Sequence, residues 1–163
     1  MTQGEAKKEN YFQQHSWKVL LIISGILGLF GIGDMIQGMS ADPAIANSMT
    51  GVPWEELQKS SPKIANLIDL QVRSGGAQLL TLSILSIIIC LTGYRRGERW
   101  AWYAFCSYPL YMVLAFIIFL TADRQADFPP PPPMLSAPVF FVICVLVLLL
   151  SYRRFSPLTA KKG

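Results

Sequence analysis

The stretch Gly93-Tyr94-Arg95-Arg96-Gly97-Glu98-Arg99-Trp100 joins two apolar segments, and this connection decides how the chain folds. One apolar segment precedes it, over about residues 74–93, and a second follows it, over about residues 100–121. As helices, such segments are long enough to cross a hydrocarbon core about 30 Å thick. The connection is so short that the two helices are expected to form an antiparallel hairpin. Its three arginines place the turn on the cytoplasmic side of a membrane.

The composition is that of a membrane protein. Of the 163 residues, 52% are hydrophobic and 15% are charged, and the mean hydropathy is +0.40. Soluble domains carry about 25% charged residues. We therefore predict an all-α fold, a polytopic bundle of four transmembrane helices. The predicted spans cover about residues 17–35, 74–93, 100–121 and 134–152, between tails at 1–16 and 153–163.

The basic residues predict the orientation of the bundle. With both tails and the 94–99 turn assigned to the cytoplasm, and with Lys18 at the cytoplasmic end of the first span, ten of the 14 lysines and arginines lie on that side. This bias predicts a multi-pass protein of the cell (plasma or inner) membrane with both termini in the cytoplasm. The net charge of +4 forms no nucleic-acid surface. Five arginines are interpreted as topology determinants or as contacts to the headgroups of membrane lipids: Arg95, Arg96, Arg99, Arg153 and Arg154.

The first span is rich in small residues. Ser24, Gly25, Gly28 and Gly31 recur at spacings close to one helical turn. Small residues let helix backbones approach closely in a membrane, where no hydrophobic effect drives helices together. This pattern predicts packing inside the bundle, a pocket, or contact with a partner helix. The partner would be another membrane protein or a second copy of the chain.

Residues 36–73 form one long loop, which the charge bias places outside the cytoplasm. Two short helices are predicted within it, from Pro53 to about Lys59 and from Pro62 to Arg73, because proline suits the first helical turn. The second has an apolar stripe. It would lie on the membrane surface, cover the end of the bundle, or continue into the second span.

Two connections have a readable conformation. Gly97 is predicted to adopt the left-handed conformation that ends the second span. The five consecutive prolines at 129–133 are predicted to form a stiff polyproline II strap between the third and fourth spans.

The third span contains Tyr108-Pro109-Leu110-Tyr111. Proline inside a helix removes one backbone hydrogen bond and kinks the helix. A kink beside two hydroxyl groups predicts a cavity for a lipid or a small hydrophobic ligand. The candidate lining residues are Gln78, Ser86, Tyr108, Pro109 and Tyr111.

The predicted spans contain no residue pattern that indicates transport, catalysis or metal binding. The centre of each span lacks Asp, Glu, Lys, Arg and His, the residues that usually mark transport or catalysis in a bilayer. The three cysteines form no Cys-x-x-Cys pattern, so no metal site or cofactor is predicted. Asp34, Asp69 and Asp123 leave a site on the outer surface open, and no catalytic residue is assigned.

Two stretches carry a resemblance to a known group of proteins. They are Trp54-Glu55-Glu56-Leu57 in the long loop and the turn from Gly93 to Trp102. With them, most of the chain resembles small four-helix prokaryotic integral membrane proteins of DoxX-like layout. Some DoxX-type proteins associate with redox complexes, but no redox motif here carries that property over. The layout also resembles sterol-isomerase-type four-helix proteins, whose intramembrane acids and histidine this chain lacks.

Three functional hypotheses follow from these patterns. The first is a non-catalytic accessory or scaffold subunit that packs through the glycine-rich first helix. The second is a binder of a lipid or small hydrophobic ligand beside Pro109. The third, an enzyme or transporter, would need ionisable groups that the span centres lack.

Overall fold

A computed structural model of the chain describes residues 11–122 and 132–155. These residues are 92% helical and contain no strand, which confirms the predicted all-α class. Several predicted features lie outside the described residues: most of both tails, Asp123, the prolines at 129–131, and the side chain of Arg153.

Seven α-helices occur within the described residues. They are α1 (Tyr11–Gln37), α2 (Pro43–Thr50), α3 (Trp54–Ser60), α4 (Pro62–Ile89), α5 (Arg99–Phe105), α6 (Ser107–Ala122) and α7 (Pro132–Phe155). A 3₁₀ turn, Gly38–Ala41, follows α1, and a π-helical turn, Cys90–Tyr94, follows α4. We call the end of the bundle that carries residues 38–61 the loop end, and the end that carries Arg95, Arg96, Arg99 and Arg154 the arginine end.

Three helical stretches are long and apolar enough to cross a membrane: His15–Ala41, Pro62–Tyr94 and Arg99–Ile118. The fourth predicted span corresponds to α7, whose apolar part, Ala137–Tyr152, falls among the shorter helices. At about 1.5 Å per residue it is roughly 24 Å long, less than a hydrocarbon core of about 30 Å. Within the described residues, three helices thus combine the length and the apolar character of a membrane span.

The closest packing in the bundle joins α1 to α4. A Cβ atom on Gly31 would lie 2.7 Å from the Leu80 nitrogen and 2.8 Å from the Gly76 carbonyl oxygen. The relation is mutual, since a Cβ atom on Gly76 would lie 2.8 Å from the Gly31 carbonyl oxygen. Both glycines are therefore required for the two backbones to touch.

The loop end contains more helix than the sequence predicts. The helix predicted from Pro62 to Arg73 is the first part of α4, so of the three predicted alternatives it continues into the second apolar segment. Helix α2, which was not predicted, has Pro43 in its first turn and ends at Gly51, whose φ is 71°. Both are ordinary helix boundary signals. Ala46 of α2 and Trp54 and Leu57 of α3 form a buried cluster with Met39 of the 3₁₀ turn and Ala65 at the start of α4.

The prolines of the chain set two further boundaries. Pro109 has no N–H group to pair with the carbonyl of residue 105, and the helix is interrupted at Cys106, between α5 and α6. Pro132 and Pro133 form the first turn of α7 instead of the end of a polyproline strap, a correction to the prediction. Proline is favourable there because the first helical residues need no N–H donor.

The turn between α4 and α5 contains the predicted left-handed glycine. Gly97 has a φ of 77°, which confirms that prediction. Before it, the Arg95 N–H donates to the Cys90 carbonyl oxygen at 2.9 Å, one residue further back than in an α-helix. The π-helical turn that this bond closes holds Tyr94 in the core, where it is 0% exposed.

A matched pair of glycine substitutions tests the α1–α4 contact. Gly31→Ala places a methyl group against the α4 backbone, so we expect the free energy of unfolding to fall by about 1–3 kcal/mol. Gly33→Ala meets nothing within 4 Å and is expected to leave stability unchanged or raise it by up to about 1 kcal/mol. Reversible unfolding in mixed micelles measures both, and equal effects would contradict the packing.

Candidate functional site

The small residues of α1 lie on two opposite faces of the helix. On the face toward α4, a Cβ atom on Gly28 would lie 2.5 Å from the Ser83 Oγ, and Gly31 touches the α4 backbone. Ser24 is fully buried on the same face. On the other face, Gly25 and Gly33 have nothing within 4 Å of a built Cβ. Of the predicted packing set, the structure thus brings Ser24, Gly28 and Gly31 together on α4 and leaves Gly25 apart.

The open face of α1 continues over several turns. With about 3.6 residues per turn, one stripe contains Ile22, Gly25, Leu29, Gly33 and Ile36. The three large side chains on it are exposed by 62%, 71% and 63% in chain order. This α1 stripe therefore has no covering helix within the described residues.

Hydroxyl groups join α1, α4 and α6 at the middle of the bundle. The Ser24 hydroxyl donates to the Leu20 carbonyl oxygen at 2.8 Å, and the Ser83 hydroxyl donates to the Ser24 carbonyl oxygen at 2.6 Å. The Tyr108 hydroxyl donates to the Ser86 Oγ at 2.5 Å and lies 3.4 Å from the Ser24 Oγ. Each hydroxyl therefore has a partner inside the chain, which is what a low-dielectric interior requires.

The five candidate pocket residues do not all meet in one place. Ser86 and Tyr108 are in contact, but Gln78 is exposed about two turns away from Ser86 along α4. Tyr111 is 69% exposed, and Pro109 is partly buried. The structure thus places the Tyr108 and Ser86 hydroxyls together at the proline break, where they are hydrogen-bonded to each other.

Beyond Tyr108, α6 is the least covered helix of the bundle. Only 11% of the residues in the apolar part of Arg99–Ile118, the stretch formed by α5 and α6, are buried, against 28% for His15–Ala41 and 22% for Pro62–Tyr94. Its exposed large side chains are Leu110, Tyr111, Val113, Leu114, Phe116, Ile117, Ile118 and Leu120. An apolar helix exposed over most of its surface suits a lipid environment, because acyl chains are as apolar as leucine.

At the loop end, Arg73 holds the C-terminus of α1. Its guanidinium group donates to the carbonyl oxygens of Met35 at 3.2 Å, Ile36 at 2.5 Å and Gln37 at 3.3 Å. These are among the last carbonyls of α1, which lack partners within the helix. Arg73 also forms a salt bridge to Asp69 at 2.7 Å. The arginine therefore caps α1 from α4, and it is held in position by its own helix.

The Asp69 carboxylate completes this cap. Its Oδ1 accepts the Met39 N–H at 2.8 Å while its Oδ2 binds Arg73. Gly38 adopts a φ of 61°, and a side chain there would collide with the carboxylate. The candidate outer-surface acid Asp69 is thus engaged in capping, which accounts for both of its oxygens. The i, i+4 spacing of Asp69 and Arg73 is the sequence signal for the pair.

A cavity of about 300 Å³ opens beside this cap. Polar side chains form most of its wall, and Trp54 closes it from α3. Its lining residues are Ser40, Trp54, Gln58, Pro62, Ala65, Asn66, Asp69 and Arg73. The sequence did not indicate this cavity, because its wall is assembled from the 3₁₀ turn, α3 and α4.

The arginine end has an aromatic core. Tyr94 lies between Phe105, at 5.4 Å between ring centroids, and Phe155, at 4.8 Å. The Tyr94 and Ser151 hydroxyls share a hydrogen bond of 2.6 Å. These contacts tie the π-helical turn to α5 and α7.

The arginines surround this core in different ways. Arg95 lies over the Trp17 ring, 5.2 Å from its centroid, and Arg154 donates to the Arg95 carbonyl oxygen at 2.7 Å. Arg96 and Arg99 are exposed. A groove of about 180 Å³ beside Arg99 is also lined by Trp102, Tyr103, Tyr152 and Phe155.

No group of three or more His, Cys, Asp or Glu side chains that could hold a metal ion occurs in residues 11–122 and 132–155. The chain matches no protein-family model, no curated protein and no solved structure.

The hydroxyl pair at the proline break gives a second test. Tyr108→Phe removes the bond to Ser86, and we expect the free energy of unfolding to fall by about 0.6–1.7 kcal/mol. Tyr111→Phe removes an exposed hydroxyl from the same helix and serves as the matched control, with no measurable change expected. Unfolding in mixed micelles compares the two variants. A loss of equal size in both would show that the Tyr108–Ser86 bond contributes nothing of its own.

Proposed function

We propose that the protein is a non-catalytic integral membrane protein, an accessory or scaffold subunit that packs against a partner helix through α1. The observation that carries this proposal is the division of the α1 glycines between two faces. Gly28 and Gly31 contact α4, whereas Gly25 and Gly33 face open space. The face with Gly28 and Gly31 packs against α4 within the chain, and the α1 stripe remains open to a partner helix.

Glycine has different effects on a lipid-facing surface and in a contact between helices. A glycine there offers acyl chains little surface, and it lowers helix propensity by about 1 kcal/mol relative to alanine. In contact with another helix, the same glycine permits close backbone approach and many dispersion contacts. Leu29 lies between Gly25 and Gly33 and is 71% exposed, so it can insert into a partner surface. The partner is another membrane protein or a second copy of this chain.

We further propose that four helices cross the cell (plasma or inner) membrane, with both termini in the cytoplasm. Ten of the 14 basic residues support this arrangement, because they fall on the side of the tails and of the arginine end. The short apolar part of α7 would be accommodated by local thinning of the bilayer. Helices α2 and α3 would then cover the outer end of the bundle.

A lipid or hydrophobic-ligand site beside Pro109 is a weaker candidate. The Tyr108 and Ser86 hydroxyls already bond to each other, and Gln78 and Tyr111 point away from them into exposed positions. An enzyme or transporter would need ionisable groups in the span centres, and the sequence has none there. The accessory role requires only an uncovered helix face, and the bundle has one in the α1 stripe.

Substitution of Gly25 by leucine tests the proposed role of the α1 stripe. A leucine there fills the space that a partner helix would occupy, so we expect Gly25→Leu to abolish assembly while the chain keeps its wild-type stability. Gly75→Leu, at an equally open glycine on α4, is the matched control and should leave assembly intact. Native mass spectrometry after extraction in mild detergent reads the assembly state.

Gly28→Leu distinguishes assembly from folding. It would collide with Ser83 inside the chain, so it should lower the stability of the monomer itself. Full assembly of Gly25→Leu, at the wild-type level, would contradict the accessory role.

A further inference from the structure

A groove between α5 and α7 opens at the arginine end. It measures about 180 Å³ and is lined by Arg99, Trp102, Tyr103, Tyr152 and Phe155. The first three come from α5, where spacings of three and four residues place them on one side of the helix. The other two come from α7. One cationic side chain therefore stands beside four aromatic ones.

The base of the groove is fixed by contacts within the chain. The Trp102 indole N–H donates to the Leu148 carbonyl oxygen of α7 at 3.1 Å. The Trp102 ring also lies 5.4 Å from the Tyr152 ring and 5.3 Å from the Tyr103 ring, measured between centroids. The aromatic surface is thus held in place without a ligand, which lowers the entropic cost of binding one.

The polar groups at the rim are available. Arg99 and the hydroxyls of Tyr103 and Tyr152 make no hydrogen bond or ion pair with any residue in the described part of the chain. Arg95 and Arg154 are engaged instead, the first over Trp17 and the second on a backbone carbonyl. Arg99 is therefore the guanidinium group that a ligand in the groove can reach.

The charge around the groove favours an anion. Four arginines whose side chains are described lie at this end, and the acid nearest to them in sequence is Glu98. The Glu98 carboxylate accepts a hydrogen bond from the indole N–H of Trp100, so this acid is engaged with that side chain. A guanidinium group binds phosphate oxygens in a bidentate manner, and tyrosine hydroxyls add donors of suitable geometry.

The volume of the groove and the residues beside it indicate which class of anion would bind. Pockets that enclose a whole drug-sized molecule measure about 300–1,000 Å³, so this groove suits only the head of a larger ligand. Next to it on α7, one turn before Tyr152, Leu149 is exposed by 64% and offers an apolar surface. Tyrosine and tryptophan rings are typical of the level where lipid headgroups lie. A phosphate with acyl chains attached fits both parts.

We propose that this groove is a binding site for an anionic phospholipid. Arg99 binds the lipid phosphate, the Tyr103 and Tyr152 hydroxyls donate to its oxygens, and an acyl chain lies along Leu149. The site is independent of the α1 stripe, since it lies on other helices.

Native mass spectrometry of the full chain tests the site. The protein is reconstituted with phosphatidylglycerol and phosphatidylcholine of identical acyl chains at equal amounts, and the retained lipids are counted. We expect the wild type to retain phosphatidylglycerol preferentially. Arg99→Gln should reduce that preference about tenfold, the loss expected for one charge-assisted contact. Arg96→Gln removes an exposed arginine outside the groove and should change the preference by less than about twofold.

Two further arms separate the remaining explanations. Arg99→Lys keeps the charge but loses the bidentate geometry, so its preference should fall between those of the wild type and Arg99→Gln. If inorganic phosphate displaced the bound lipid at equal concentration, the groove would recognise free phosphate and the lipid assignment would be overturned. Equal losses in Arg96→Gln and Arg99→Gln would overturn it too, because general attraction to cations would then explain the binding. The lipid assignment would also be overturned if the wild type retained phosphatidylglycerol and phosphatidylcholine equally.

Discussion

The contact between the backbones of α1 and α4 is the constraint on which the rest of the bundle depends. Gly31 and Gly76 each occupy a position where a Cβ atom would strike the backbone of the other helix. In lipid, apolar side chains gain little by leaving the bilayer, so close backbone approach and interhelical hydrogen bonds must supply the attraction. The Ser83 hydroxyl adds such a bond by donating to the Ser24 carbonyl oxygen.

The two ends of the α1–α4 pair are closed by different means. At the loop end, Arg73 and Asp69 satisfy the last polar backbone groups of α1 and place α2 and α3 over the helix ends. At the arginine end, the π-helical turn holds Tyr94 among the rings of α5 and α7. Helix α6 shares little of this packing and remains exposed to the surroundings. The protein thus combines a tightly packed pair with a helix suited to contact lipid.

Apolar length and helix boundary residues predicted most of the fold, because they are local properties. They identified the first three spans, the break near Pro109 and the left-handed Gly97. The fourth predicted span corresponds to α7, and α2 was missed. The site was harder to predict. Whether a glycine of α1 meets α4 or faces outward depends on the rotation of the helix, and a list of small residues does not contain that information.

Disulfide trapping inside the membrane tests the α1–α4 contact most directly. The built Cβ of Gly28 lies 3.3 Å from the Ser83 Cβ, close to the separation of about 3.5–4.5 Å in a disulfide. With the native cysteines replaced and a protease site inserted after Gly51, oxidised Gly28→Cys/Ser83→Cys protein should remain one species on a non-reducing gel after cleavage. Gly25→Cys/Ser83→Cys protein should separate into two fragments. Equal trapping in both pairs, or trapping only through Gly25→Cys, would contradict the account.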